Sequence, residues 1–233
     1  MFRYALVHAS EHASLGSDEV WPGLLSAREE SILAGLRFAP RKSKWLLGRI
    51  AAKRLLSRMP GLEGVASSRL SVLNRPSGEP FVLVEGEGEY PYPISISHRG
   101  KVGMAAAPER KGLRIGADLE TVEPRDSALV RQFFTAREAS LVERAGDACD
   151  QVVARIWSAK EAVLKLLGLG LRLDTREIEV YLTGAAFAEC PALWSPIDVS
   201  PARSSRVALP THSLRVVWRL EGGGVVLTVA VAS

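Results

Sequence analysis

The stretch Trp157-Ser158-Ala159-Lys160-Glu161-Ala162-Val163-Leu164-Lys165 decides how this chain is read. Apolar residues recur at helical spacing from Ile156 through Val163 to Leu167, no proline interrupts, and Gly168 stands where a helix would stop. The spacing therefore predicts a helix. Glu161 and Lys165 lie one turn apart, so both heads emerge on one face. The ordinary reading of such a pair is a surface ion pair contributing about 0.2–0.5 kcal/mol. About forty residues upstream, Ile115-Gly116-Ala117-Asp118-Leu119-Glu120 reads as a short strand in which Asp118 and Glu120 share one side. Two carboxylates from a strand and a third from a helix can hold one hard divalent cation, leaving positions open for water and a substrate phosphate. A D-x-E pair alone is common on strands. The order and spacing of the two stretches together carry the weight.

The rest of the chain bounds that reading. With 233 residues, 47% of them hydrophobic, it is globular and long enough for one large domain or two small ones. No run approaches the roughly eighteen apolar residues of a membrane span, so no membrane partner is expected. Met1-Phe2-Arg3-Tyr4-Ala5-Leu6-Val7 reads as a first strand and lacks the features of a signal peptide. Cys149 and Cys190 are far apart and lack metal-ligand spacing, which argues against a disulfide framework and for the cytoplasm. The formal charge of +4 suits an anionic ligand or an acidic protein partner, and on charge alone nucleic acid equally. No nucleic-acid fold signature, phosphate-binding loop or dinucleotide fingerprint is present, so no nucleic-acid partner is expected.

Along the chain, residues 24–38 read as a helix, with Ser26 and Glu29 in capping-box spacing. Pro40 breaks the chain before a second helix, Lys42 to Met59, ended by Pro60-Gly61. Arg41, Lys42, Lys44, Arg49, Lys53, Arg54 and Arg58 crowd this segment with no acidic residue. That leaves two readings, a solvated basic face or a site for phosphates or an acidic partner. Two apolar stretches flank the turn chemistry of residues 74–80. His98, after Ser97 in a turn, would ordinarily be a hydrogen-bonding fixture. The polar connector 108–112 places a boundary between units 1–107 and 108–233. Helices are expected over 127–132 and from Thr135, again in a capping box with Glu138, to Arg144. Strands are expected over 176–183, 213–220 and 225–232, and residues 191–210 read as loop. No sequence repeat is visible. The residues alone support only a mixed α and β class.

Gly116-Ala117-Asp118-Leu119-Glu120 followed by Trp157-Ser158-Ala159-Lys160-Glu161 through Lys165 resembles the signature G-x-D-x-E, W-x-x-K-E-x-x-x-K of the 4′-phosphopantetheinyl transferases, of the surfactin-synthetase-activating type with two subdomains. Ile94-Ser95-Ile96-Ser97-His98-Arg99-Gly100 is similar to the family's F-N-x-S-H-S-G at Ser97, His98 and Gly100, with Arg99 replacing a small serine. Gly78-Glu79-Pro80 stands where the family has G-K-P, a charge reversal. The resemblance runs from about Arg37 to Leu182.

The resemblance implies an α+β fold of two similar α/β subdomains related by a pseudo-twofold, each a small antiparallel sheet with packed helices. It implies transfer of the 4′-phosphopantetheine arm of coenzyme A to a serine of an apo acyl or peptidyl carrier protein by a monomer, releasing 3′,5′-ADP. Asp118, Glu120 and Glu161 would hold Mg²⁺ or Mn²⁺. Glu161 would take the serine proton, and Lys165 would meet the departing phosphate. Lys44, with Arg41 beside it, would contact the 3′-phosphate of coenzyme A. Ser97 and His98 would bind its other phosphates, and Arg99 would add a donor fork that offsets the missing lysine at Glu79. The alternative is a catalytically weak homologue that only binds coenzyme A or a carrier domain.

Overall fold

The computed structural model describes residues 1–11, 23–182, 193–203, 205, 207–210 and 212–233. Cys190 and the end of the strand expected over 176–183 lie outside them. The chain divides into two compact units, Met1–Ile115 and Gly116–Ser233, a few residues past the polar connector.

The first unit contains β1 (Phe2–His8), α1 (Ala27–Gly35), α2 (Ala39–Leu56), β2 (Leu70–Asn74), β3 (Pro80–Val84), β4 (Gly88–Glu89), β5 (Ser95–Arg99) and β6 (Val102–Pro108). Its strands pair antiparallel in the orders β1-β6-β5 and β2-β3-β4. The second unit contains β7 (Arg114–Thr121), α3 (Ser127–Phe133), α4 (Ala136–Arg144), α5 (Cys149–Leu166), β8 (Ile178–Tyr181), β9 (Ser195–Pro201), β10 (Arg215–Glu221) and β11 (Val225–Ala232), with one sheet in the order β7-β11-β10-β9-β8. Among the described residues each unit runs strand, short helix (α1 in the first, α3 and α4 in the second), eighteen-residue helix, then strands ending in a hairpin. This repeat is invisible in the sequence. β9 was also missed, inside the stretch expected to be loop.

The long helix of each unit packs on its sheet over a continuous apolar core. Leu47, Ile50, Ala51, Leu55 and Leu56 of α2 pack with Ala5, Val7, Ala105 and Ala107. Ile156, Ala159, Ala162, Val163 and Leu166 of α5 pack with Val216, Trp218, Val226 and Ala230. The helix α2 begins at Ala39, so Pro40 sits in its first turn instead of breaking the chain. Proline is tolerated there because the first turn's N–H groups have no helical acceptor. The helix α5 starts at Cys149, well before Trp157.

Both expected capping boxes form, and each does more than cap a helix. In the first unit the Ser26 N–H donates to Glu29 Oε2 at 2.9 Å, and the Val72 N–H donates to Glu29 Oε1 at 3.0 Å. Lys53 Nζ lies 2.7 Å from Glu29 Oε2 and donates to the Ser67 carbonyl at 2.8 Å and to that of Leu70. In the second unit Thr135 N–H and Val180 N–H each donate to Glu138 at 2.8 Å. Lys160 Nζ lies 2.8 Å from Glu138 Oε2 and donates to the carbonyls of Thr175, 2.8 Å, and Ile178, 2.6 Å. All four charged groups are buried. Burial pulls both ammonium groups below their ordinary range, and the facing carboxylates oppose that pull.

The basic segment of α2 is therefore neither of the two surfaces expected from composition over most of its length. Arg49 is buried beside Glu29 at 3.8 Å and donates to Asn74 Oδ1 at 2.9 Å. Arg54 donates to the Leu6 carbonyl, 2.8 Å, and to Glu11, 2.9 Å. Arg58 donates to the Tyr4 carbonyl at 3.0 Å. These cations tie α2 and the residues just after it to β1 and β2, while Arg41 and Lys44 are exposed at the N-terminal end of the run.

Two contacts set the helix-to-sheet distance. A Cβ on Gly103 would meet the Leu47 carbonyl oxygen at 2.8 Å, and a Cβ on Gly116 would meet that of Ala162 at 1.9 Å. Only glycine permits so close an approach of helix backbone to strand. Gly116→Ala is expected to force β7 and α5 apart, costing about 1–3 kcal/mol or more of stability, read from the urea midpoint. Lys160→Met, which leaves Glu138 buried without its cation, is expected to cost about 3–5 kcal/mol in the same measurement. Adding Glu138→Gln is expected to return part of that loss as a coupling between the two positions. A Lys160→Met chain as stable as the parent would refute the brace.

Candidate active site

The site in the second unit grows from the close approach at Gly116. Residues two apart on β7 share a face, so Asp118 and Glu120 point to the side on which α5 lies. Glu161 and Lys165 project from α5 one turn apart, towards the strand. Lys165 Nζ donates to Asp118 Oδ1 at 2.7 Å and to the Ala117 carbonyl at 3.2 Å. The ion pair of Lys165 is thus with Asp118 on the strand, and not the within-helix pair that its spacing from Glu161 would allow. Asp118 is 4% and Glu120 7% exposed, so both carboxylates lie in a desolvated setting.

Arg125 was not singled out from the sequence. It donates from Nη2 to Glu120 Oε2 at 2.6 Å and to the Thr121 carbonyl at 3.1 Å. Its signal was the polar loop directly after β7, where a cation a few residues beyond two strand carboxylates can fold back on them. Among the described residues, buried Oε1 of Glu161 has no hydrogen-bond partner. Burial pushes the Glu161 carboxyl above its usual range, Asp118 and then Glu120 add to the rise, and Lys165 opposes it. Glu161 is thus a proton acceptor of raised basicity set among two further carboxylates and an ammonium.

The fit to a divalent cation rests on that unsatisfied oxygen and on an all-oxygen donor set, which suits Mg²⁺. The geometry is not closed around a point. Among the described residues no group of three or more His, Cys, Asp or Glu side chains stands in metal-holding arrangement. Lys165 and Arg125 meet the strand carboxylates instead. Trp157 packs half-buried in the core of this unit, its ring 5.2 Å from that of Phe133, as expected of a packing residue.

The other expected site residues lie in the first unit. Arg41 and Lys44 are exposed on the first turns of α2. A Cβ on Gly48 would meet Ile96 at 3.0 Å, so α2 lies against β5 one turn beyond Lys44. His98 shares the face of Ile96, the side of α2, and is exposed. Ser97 and Arg99 point to the opposite face, and Ser97 is 8% exposed. Strand alternation thus separates Ser97 from its neighbour. The cation beside Glu79 is Arg75, with Nε 4.0 Å from Glu79 Oε2, its guanidinium 4.6 Å from the Phe81 ring centroid and Glu89 as a second partner. Arg75 was another residue the sequence reading passed over.

Residues 114–200 match the sequence model of the 4′-phosphopantetheinyl transferase superfamily. The chain is 27% identical over 168 residues to the 4′-phosphopantetheinyl transferase HetI of Nostoc sp., covering 70% of this chain and 68% of that one. It is 28% identical over 154 residues to a putative 4′-phosphopantetheinyl transferase of Synechocystis sp., covering 65% and 60%. It is 26% identical over 154 residues to the 4′-phosphopantetheinyl transferase Sfp of Bacillus subtilis, covering 65% and 64%. The matched residues 114–200 hold β7 and α5, the two elements that Gly116 brings together around Asp118 and Glu161. The chain is thus similar to 4′-phosphopantetheinyl transferases, and its residues 114–200 match the model of that superfamily.

Proposed function

We propose that the chain transfers the 4′-phosphopantetheine arm of coenzyme A to a serine hydroxyl of an apo acyl or peptidyl carrier protein. The observation that carries this reading is Glu161, a desolvated carboxyl with an unsatisfied oxygen, set beside Asp118, Glu120 and Lys165. The serine oxygen forms a bond to the phosphorus bearing the pantetheine arm, the diphosphate P–O bond breaks, and 3′,5′-ADP leaves. Glu161 takes the serine proton, its buried Oε1 being free of any hydrogen-bond partner among the described residues. Lys165, held by Asp118 with its ammonium part-exposed, donates to the charge that develops on the departing phosphate. Asp118, Glu120 and Glu161 would hold Mg²⁺ or Mn²⁺, which when bound neutralises diphosphate charge. Arg125 orients Glu120 by donating to its Oε2.

Lys44, Arg41, Ser97, His98 and Arg99 are assigned to the phosphates of coenzyme A on the match of their motif. Exposure of Lys44, Arg41 and His98 supports that assignment. The orientation of Ser97 favours His98 as the primary contact of that pair. Arg75 is the cation beside Glu79, 4.0 Å from its carboxylate. Among the described residues no helix is long and apolar enough to cross a membrane. The reaction is assigned to the cytoplasm, to a monomer, and to partners that include neither nucleic acid nor membrane.

A second reading, binding of coenzyme A or a carrier domain without transfer, is favoured by Lys165 and Arg125 occupying the carboxylates. Mass spectrometry of an apo carrier protein after incubation with the chain, coenzyme A and Mg²⁺ separates the two. Transfer adds the phosphopantetheine mass; calorimetric binding of coenzyme A with no mass shift establishes the binding-only reading. Asp118→Ala, and EDTA on the parent chain, are each expected to abolish transfer, and full activity in either sinks the metal assignment. Glu161→Gln is nearly isosteric and is expected to keep coenzyme A affinity while lowering kcat by at least about 10²-fold. Unchanged kcat removes Glu161 as the base.

A further inference from the structure

Phe38 is the one exposed aromatic among the described residues, with 73% of its surface in solvent. It stands at the N-cap of α2 and makes no side-chain capping bond there. A serine, threonine or aspartate would stabilise that position, and an aromatic ring does not. Phe38 therefore contributes neither core burial nor a cap, and local stability gives no reason for it. Its surroundings have one sign of charge. No acidic residue occurs from Ser31 to Arg58. Arg49, Lys53, Arg54 and Arg58 are engaged with Glu29, Asn74, Glu11 and backbone carbonyls. The exposed positive charge is therefore concentrated at Arg37, Arg41 and Lys44, at the end of α2 where the helix dipole is also positive. Ile32, on the preceding helix, adds exposed apolar surface.

We propose that this corner, Phe38 with Arg37 just before α2, is a docking surface for the apo carrier protein, with Phe38 as the anchor inserted into an apolar cleft. The partner's identity rests on the transfer reading above; the corner's chemistry independently calls for an acidic surface around an apolar cleft. An aromatic ring flanked by arginine is the composition of an interface hot spot, and rim charges of one sign steer an oppositely charged protein. An anionic lipid surface is the weaker fit. The apolar side of α2 is committed to the core, which leaves one ring where an interfacial helix presents a whole face.

Phe38→Ser and Arg37→Glu test this surface, and neither residue belongs to the transfer site. Phe38→Ser introduces a favoured N-cap, so its melting midpoint is expected not to fall. Binding of apo acyl carrier protein is read by calorimetry without coenzyme A, and transfer by the carrier's mass shift. Phe38→Ser is expected to raise both Kd and KM for the carrier about ten-fold or more, with KM for coenzyme A within about two-fold of the parent's. Arg37→Glu is expected to weaken carrier binding and flatten its salt dependence. Carrier binding by both variants equal to the parent's overturns the proposal. So does loss, in Phe38→Ser, of parent-level binding to anionic phospholipid vesicles while carrier binding is kept. A parent chain that neither binds nor modifies the carrier overturns the transfer reading itself and this partner with it, an outcome distinct from parity between parent and variants.

Discussion

The buried lysine–carboxylate brace is the interaction on which both units depend. A carboxylate on the first turn of a short helix accepts from its own N-cap and from a strand N–H some forty residues away, while a lysine from the long helix meets it and two further carbonyls. One cluster thereby joins short helix, long helix, loop and strand. A buried pair of this kind is weak evidence for net stability, since desolvation offsets much of the attraction. Its value is specificity. Every donor and acceptor is used, so displacement of any one element strands a charge in the core. That the first unit rebuilds the same cluster from Ser26, Glu29, Lys53, Ser67 and Val72 shows that the arrangement is the recurring solution of this architecture.

The brace also determines how the active helix is used. Lys160 and Glu161 are neighbours in sequence, yet Lys160 turns into the core and Glu161 towards β7. Fixing the first positions the second. Gly116 then sets the distance, because the missing side chain lets the α5 backbone rest on the strand. Asp118, two residues along, falls within reach of Lys165 without any adjustment of either helix or sheet. Burial raises the basicity of Glu161, and the nearby carboxylates of Asp118 and Glu120 add to the rise. Lys165 opposes that rise.

The two units use the same scaffold for different ends. Where α5 sends Glu161 and Lys165 towards β7, Arg54 of α2 and Arg58 just beyond it donate to the backbone carbonyls of β1. In the first unit the long helix is therefore held by cations that are structural, and its exposed cations Arg41 and Lys44 stand at its N-terminal end.

The sequence by itself determined what depends on near neighbours. The capping boxes at Ser26 and Thr135, the strand that places Asp118 and Glu120 on one side, and the helical face shared by Glu161 and Lys165 all follow from residues a few positions apart. The motif pair that carries the resemblance to the 4′-phosphopantetheinyl transferases is legible for the same reason. The tertiary structure alone decided which charges are structural. Lys53 and Lys160 find backbone carbonyls and carboxylates distant in the chain, and no composition or period announces a carbonyl acceptor. Arg125 and Arg75 became part of their surroundings only when loops folded back. The repeat between units was likewise decided by packing. Periodicity tells which face a side chain occupies, and only the folded chain tells what stands opposite.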